Sequence, residues 1–381
     1  MKKIVCLFVA GLFFAGSLSA QTLVQGTIEN APQHAAYTPS FKVDGSNRSI
    51  RNIILMIGDG TGLAQIAAGL YSNGGALTVT NLQTMGLVKT QSADAYTTDS
   101  AASGTAYATG HKTLNYAVGV DTEGRPLRNI PEILADYGII SGVITTDAMT
   151  GATPSSFYAH QPNRSMTPEI WADLPGSSLT FFAAGSEESF RKQSEQTRQA
   201  IQEAFTLVHS LQDVPAGTDK LGYLPPKAEV RSFREGRGDF LPATTRYGLD
   251  YLASRVQRRK GFFMMVEGAR IDKSCHANEY APAVLEMLDF DQAVEQAIRF
   301  AEADGHTLVI ITADHETGGL SLQETGDPSQ GNTGGRFVTG GHTPIPVPLF
   351  AYGPGSQFFR GIQENDEVGR KIIWLLTGKK Q

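Results

Sequence analysis

Gly305-His306-Thr307-Leu308-Val309-Ile310-Ile311-Thr312-Ala313-Asp314-His315-Glu316-Thr317-Gly318-Gly319 sets a short apolar run against two side chains able to bind a metal. Residues 307–311 are β-branched and apolar without alternation, the pattern of a strand buried on both faces of a parallel sheet. Asp314 and His315 follow it. In open parallel α/β sheets, ligands gather beyond the carboxyl ends of the strands, where the loops converge. Other runs that end in the same way therefore belong to the same crevice.

Residues 50–57 end in Gly58-Asp59-Gly60, and 261–266 end in Glu267-Gly268-Ala269-Arg270-Ile271-Asp272-Lys273-Ser274-Cys275-His276. The run 139–145 leads to Asp147 and Thr153, and 347–352 follows Gly340-Gly341-His342. A lone Asp after a strand reads as a turn or a helix cap. Several such runs with ligands or hydroxyls together favour a metal centre.

Asp272 and His276 are four apart, so in a helical turn both face one way and can share an ion. His342, on a glycine-rich loop, would complete that site and leave a fourth position open. Asp59, Asp314 and His315 would form a second. Mixed carboxylate and imidazole ligands suit zinc better than calcium. Asp59, Glu267 and the Thr153 hydroxyl offer oxygen alone, the preference of magnesium.

Thr97-Thr98-Asp99-Ser100-Ala101-Ala102-Ser103-Gly104 contains the candidate nucleophile. Ser100 stands where a loop turns into a helix, so it either caps that helix or is activated by a metal, its phosphorylated form stabilised by the helix N-terminus. Arg164 offers a fork for two oxygens of a tetrahedral anion, or a surface ion pair. Two metals, a hydroxyl and a guanidinium together describe in-line displacement at phosphorus.

Residues 1–20 carry Lys2 and Lys3, an apolar stretch and Ser17-Leu18-Ser19-Ala20, the makeup of a secretory signal peptide. The apolar run is shorter than the ~20 residues of a spanning helix, so an exported mature chain, periplasmic or secreted, is expected without a membrane span. Without the two lysines the formal charge moves from -6 to -8, 30 basic against 38 acidic residues. That balance argues against nucleic-acid or membrane-surface binding. Cys275 would then be the sole cysteine, so stability rests on a core rather than a disulfide.

Residues 21–48 read as an irregular arm. From 49 to 381 strands and helices alternate as one α/β domain, expected as a three-layer sandwich around a mostly parallel central sheet. Residues 165–260 match that rhythm least, with helices expected at 197–211 and 244–258, and read as an excursion from the sheet, a lid or rim.

Gly58-Asp59-Gly60, Thr98-Asp99-Ser100-Ala101-Ala102, Val266-Glu267-Gly268-Ala269-Arg270-Ile271-Asp272, Thr312-Ala313-Asp314-His315 and Gly341-His342-Thr343 resemble, in order, the motifs of the alkaline phosphatases. The resemblance covers residues 50 to about 361 and is weakest over 165–260. It implies an alkaline-phosphatase-like fold with a divergent insertion, two zinc ions and one magnesium. Asp272, His276 and His342 would hold the first zinc, Asp59, Asp314 and His315 the second, and Asp59, Thr153 and Glu267 the magnesium. It implies that Ser100 becomes phosphorylated, that Arg164 clamps phosphate and that Lys273 contacts phosphate through water. Phosphate monoesters are the implied substrates and a homodimer the implied assembly.

Two departures stand out. Gly151 lies where relatives carry an aspartate or a histidine, which would leave Lys273 without a partner and magnesium weakly anchored. Thr317 replaces a histidine of some members and would alter the orientation of a ligand. Cys275, beside His276, is expected to pack, its thiolate being a weaker rival reading as a zinc ligand. The rival functions are a phosphodiesterase or sulfatase of the same superfamily and a non-enzymatic metal- or phosphate-binding relative.

Overall fold

Alternate residues of the strand Asn52–Gly58 face two separate cores. Ile54 and Met56 pack into the first, and Ile53, Leu55 and Ile57 into the second. Phe262–Gly268 and Thr307–Thr312 divide in the same way, so the sheet is a middle layer covered on both sides. Each such buried side chain contributes about 1.5–3 kcal/mol.

The computed structural model describes residues 24–185, 187–225, 232–256, 260–323 and 327–380, and the expected leader 1–20 lies outside them. Among these residues the central sheet has ten strands in the order Gly361–Glu364, Thr84–Lys89, Val347–Tyr352, Thr307–Thr312, Asn52–Gly58, Phe262–Gly268, Ile140–Ala148, Leu179–Gly185, Leu221–Tyr223, Thr206–Val208. Val347–Tyr352 runs antiparallel to both neighbours. The remaining pairings are parallel.

One outer layer holds the helices Leu63–Ser72, Phe240–Ala253 and Tyr280–Asp304, whose Ile66, Leu249, Met287, Phe290 and Ile298 enter the first core. The other holds Ser100–Thr109, Ile130–Ala135, Thr167–Asp173 and Asn365–Thr377, contributing Tyr107, Leu134, Trp171 and Ile372 to the second. The result is an α/β sandwich of three layers.

Two expectations are corrected. Residues 165–260 are not wholly an excursion: Leu179–Gly185, Leu221–Tyr223 and Thr206–Val208 form one edge of the sheet. The last two strands have three residues each, too short to show a period, and the helix expected over 197–211 is Glu195–Ala204, giving way to Thr206-Leu207-Val208. The N-terminal arm is not wholly irregular, because Val24–Ile28 pairs antiparallel with Thr333–Phe337 in a separate three-stranded sheet. No helix of the described residues is long and apolar enough to cross a membrane.

Candidate active site

Four adjacent parallel strands deliver the chemistry to one end of the sheet. Asp59 follows Asn52–Gly58, Glu267 lies at the end of Phe262–Gly268, Asp314 and His315 follow Thr307–Thr312, and Thr145 and Asp147 end Ile140–Ala148. Gly60 has φ +73° and a Cβ there would lie 2.7 Å from the Asp272 Cα, so only glycine lets this loop close on the next helix. That helix, Arg270–His276, presents Asp272 and His276.

His276 Nδ1 lies 2.7 Å from the Gly340 carbonyl and His342 Nδ1 2.8 Å from that of Thr98. A carbonyl only accepts, so each Nδ1 carries the proton and each Nε2 a lone pair. The two Nε2 atoms face each other at 3.0 Å. Asp272 carboxylate oxygens lie 3.3 and 3.7 Å from them. Electron pairs so arranged call for a cation between them.

The second group adjoins the first. Ligand atoms of Asp59, Asp272 and His315 lie within 4.8 Å of one another, and Asp314 Oδ2 is 3.1 Å from His315 Nε2. Asp272 thus stands at the junction of the two sets. Thr317, where some members carry a histidine, touches two candidate ligands: its hydroxyl donates to Asp272 Oδ1 at 2.5 Å and lies 3.2 Å from His315 Nδ1.

Burial, together with the charges of Asp314 and Asp272, holds the Asp59 carboxyl well above the usual carboxylate range. Burial and the charges of Asp147 and Asp314 push Glu267 up to about 8. Burial opposes a charge on His315, but Asp314 beside it raises its pKa, and the imidazole in turn holds Asp314 low against its own burial. Crowded carboxylates draw positive charge into the site, as protons or as metal ions. Asp59 Oδ1 and Thr153 Oγ1 are buried with no hydrogen-bond partner, and among the described residues the cation beside Asp314 Oδ2 is the His315 ring alone. The donor set therefore fits divalent cations.

Lys273 is not left without a partner. Its Nζ lies 2.5 Å from Asp147 Oδ1, and a Cβ on Gly151 would sit 3.0 Å from Asp147 Oδ2. The carboxylate absent at 151 is replaced in space by one four residues earlier. Asp147 N donates to Thr145 Oγ1 at 2.9 Å, and that hydroxyl donates to Glu267. Sequence reading assigned no role to Thr145 and did not pair Asp147 with Lys273. Their strand-end position was the available signal.

Ser100 opens the helix Ser100–Thr109, but Asp99 is its cap, accepting from Ala102 N at 3.0 Å. The Ser100 hydroxyl is free of that task and lies 3.1 Å from His315 Nε2. Asp99 Oδ2 also holds Arg164 Nη1 at 2.9 Å, so one carboxylate ties the guanidinium to the start of the serine helix. Burial pushes the Cys275 thiol up, and Cys275 belongs to neither of the two ligand groups found among the described residues.

Fold and site define an α/β enzyme in which a serine hydroxyl, a guanidinium and candidate metal ligands meet at the carboxyl ends of a mostly parallel sheet. Residues 50–189 and 241–332 match the alkaline phosphatase family model. Alkaline phosphatase 4 of Bacillus subtilis (strain 168) is 30% identical over 87% of this chain and 90% of its own length. Streptomycin-6-phosphate phosphatase of Streptomyces griseus is 32% identical over 84% and 88%. The structure of the alkaline phosphatase from the Antarctic bacterium TAB5 superposes with a TM-score of 0.80 at 38% identity, covering 88% of this chain and all of that one. The chain belongs to the alkaline phosphatase family, and it is a phosphatase.

Proposed function

We propose that the chain hydrolyses phosphate monoesters through a phosphoserine at Ser100. The observation that carries this reading is the Ser100 hydroxyl, which stands at a helix start without capping it, 3.1 Å from His315 Nε2 and beside the Asp99–Arg164 pair. Asp272, His276 and His342 hold one zinc, Asp59, Asp314 and His315 a second, and Asp59, Thr153 and Glu267 a magnesium. Bound there, the cations supply the positive charge that the attacking hydroxyl and the departing oxygen need.

Arg164 grips two phosphoryl oxygens and fixes the ester for in-line attack. Ser100 Oγ forms a bond to phosphorus as the bond to the alcohol oxygen breaks, and the alcohol leaves with a proton. Water then attacks the phosphoserine, releases phosphate and restores the hydroxyl. Lys273, held by Asp147, orients a water against the phosphoryl oxygens. The helix N-terminus steadies the phosphoserine charge.

A relative named for streptomycin-6-phosphate supports a monoester substrate, and variants of the TAB5 enzyme with Mg in the M3 site support a magnesium. The reading includes export through 1–20, to the periplasm or the medium, and a homodimer. Its test is nitrophenyl phosphate turnover at alkaline pH by the zinc- and magnesium-loaded chain and its Ser100→Ala variant. Turnover that collapses in the variant is expected. An inactive parent that cleaves bis(nitrophenyl) phosphate or a sulfate ester would overturn the reading.

A further inference from the structure

A cavity of about 490 Å³ opens beside the helix Arg270–His276, lined in part by Arg234, Arg270, Lys273, Glu235 and Glu279. The Arg270 Nε is shielded from solvent and has no hydrogen-bond partner. Neither Arg234 nor Arg270 forms an ion pair with a carboxylate among the described residues. Of the two acids, Glu235 is committed to its own turn, where it accepts from Ser232 N at 3.0 Å and Ser232 Oγ at 2.8 Å. A half-buried guanidinium facing a cavity, with no counter-ion among the described residues, is an anion site in want of an anion.

Its position on the helix says which anion. Arg270, Lys273 and Ser274 are spaced i, i+3, i+4 and share the face turned to the cavity, whereas Asp272 and His276 share the face turned to the candidate metal ligands. Lys273 lies between the two, bonded to Asp147 and lining the cavity. We propose that the cavity is a second anion subsite, which binds an acidic group at the far end of the leaving alcohol. This rests on the phosphomonoesterase reading and narrows its substrate class.

The distance to be bridged is on the order of 10 Å, the width of a helix with its side chains. An extended chain gains 3.8 Å over three bonds, so roughly eight bonds separate the two acidic groups. The preferred substrates are organic phosphate monoesters that end in a second phosphate or a carboxylate at that separation. Short or neutral esters enter the reaction site without reaching Arg270.

The experiment uses the zinc- and magnesium-loaded full chain and a series of linear α,ω-alkanediol bisphosphates, each compared with the alkyl monophosphate of equal length. The ratio of their kcat/KM values is expected to peak near eight bonds at roughly tenfold or more, the worth of one charge-assisted hydrogen bond, and to arise in KM. Arg270→Gln is expected to flatten that peak, and Arg234→Gln to lower it. A ratio independent of length, or a peak that survives Arg270→Gln, would overturn the subsite while leaving the phosphatase reading intact. Failure of the loaded parent to turn over nitrophenyl phosphate or any of the alkyl phosphates would remove both.

Discussion

Glu286 and Asp289 of the helix Tyr280–Asp304 are as buried as the site carboxylates Asp59, Asp272, Asp314 and Glu267. The first pair has a cation of the protein's own: Arg237 bonds Glu286 and lies 2.6 Å from Asp289 Oδ2. The site carboxylates contact only histidines among the described basic side chains. Arg164 and Lys273, the nearby cations, are bound instead to Asp99 and Asp147. A buried charge balanced from within holds elements together, here the loop after Ser232 against the long helix, where Phe233 N also reaches Glu286 at 2.8 Å. A buried charge left for an outside cation is a binding site.

The sharpest way to break this contrast is Asp59→Asn. Activity of the metal-loaded chain is expected to fall by more than the roughly 10–100-fold typical of a residue that only supports a ligand. In excess chelator, however, the variant should melt at or above the parent temperature, because the parent carboxyl is then an uncompensated buried acid. With metals added, the parent should regain the advantage through binding. A variant less stable than the parent in chelator would place Asp59 with the structural acids.

Arg237→Met tests the opposite case. Removing the one arginine that serves two buried carboxylates is expected to cost about 3–5 kcal/mol, read as a lowered urea midpoint. The loss should be the same with and without chelator. A chelator-dependent loss would mean that the triad is coupled to the metal site.

Asp147→Asn is expected to weaken magnesium retention by roughly 10–100-fold, measured as metal content across a chelator titration. The urea midpoint of the chelated chain should barely move, since the Lys273–Asp147 pair is partly exposed. Unchanged retention would show that the carboxylate filling the space beside Gly151 does not serve the metal.

The smallest effect is expected at Asp289, whose pKa burial pushes up to about 6 in spite of Arg237. Between an unfolded pKa near 4 and that value the native state keeps a proton the unfolded chain has lost, so this group lowers stability as pH rises through the window. Asp289→Asn should remove that slope and gain on the order of 1 kcal/mol above pH 6. Parallel stability-pH curves for parent and variant from pH 4 to 7 would refute the assignment.

Asp59, Glu267, Asp272, His276, Asp314 and His315 were legible because they stand at or past the end of an apolar strand or one helical turn further on, whereas His342 precedes its strand. Asp59, Asp314 and His315 need no long-range information beyond the rule that such ends converge. The partners of Thr317 were not legible for lack of it: what its hydroxyl can reach depends on where Asp272 lies, 45 residues away, and the structure puts them 2.5 Å apart. The partner of Lys273 was missed at Gly151, since the turn that brings Asp147 over it leaves no mark in composition. The Arg237–Glu286–Asp289 triad spans 49 and 52 residues and was not foreseen.

What the amino-acid order determined by itself is local: buried strands from unbroken β-branched runs, ligand spacing within a helical turn and the family motifs. The tertiary structure alone decided which acids share a cation, that 206–208 and 221–223 are strands at all, and that Val24–Ile28 pairs with a strand some 300 residues on. The physical reason is that burial and charge pairing depend on distance in space. A three-residue strand acquires its conformation from the neighbour it bonds to, and a carboxylate acquires its role from whichever cation the fold brings within reach.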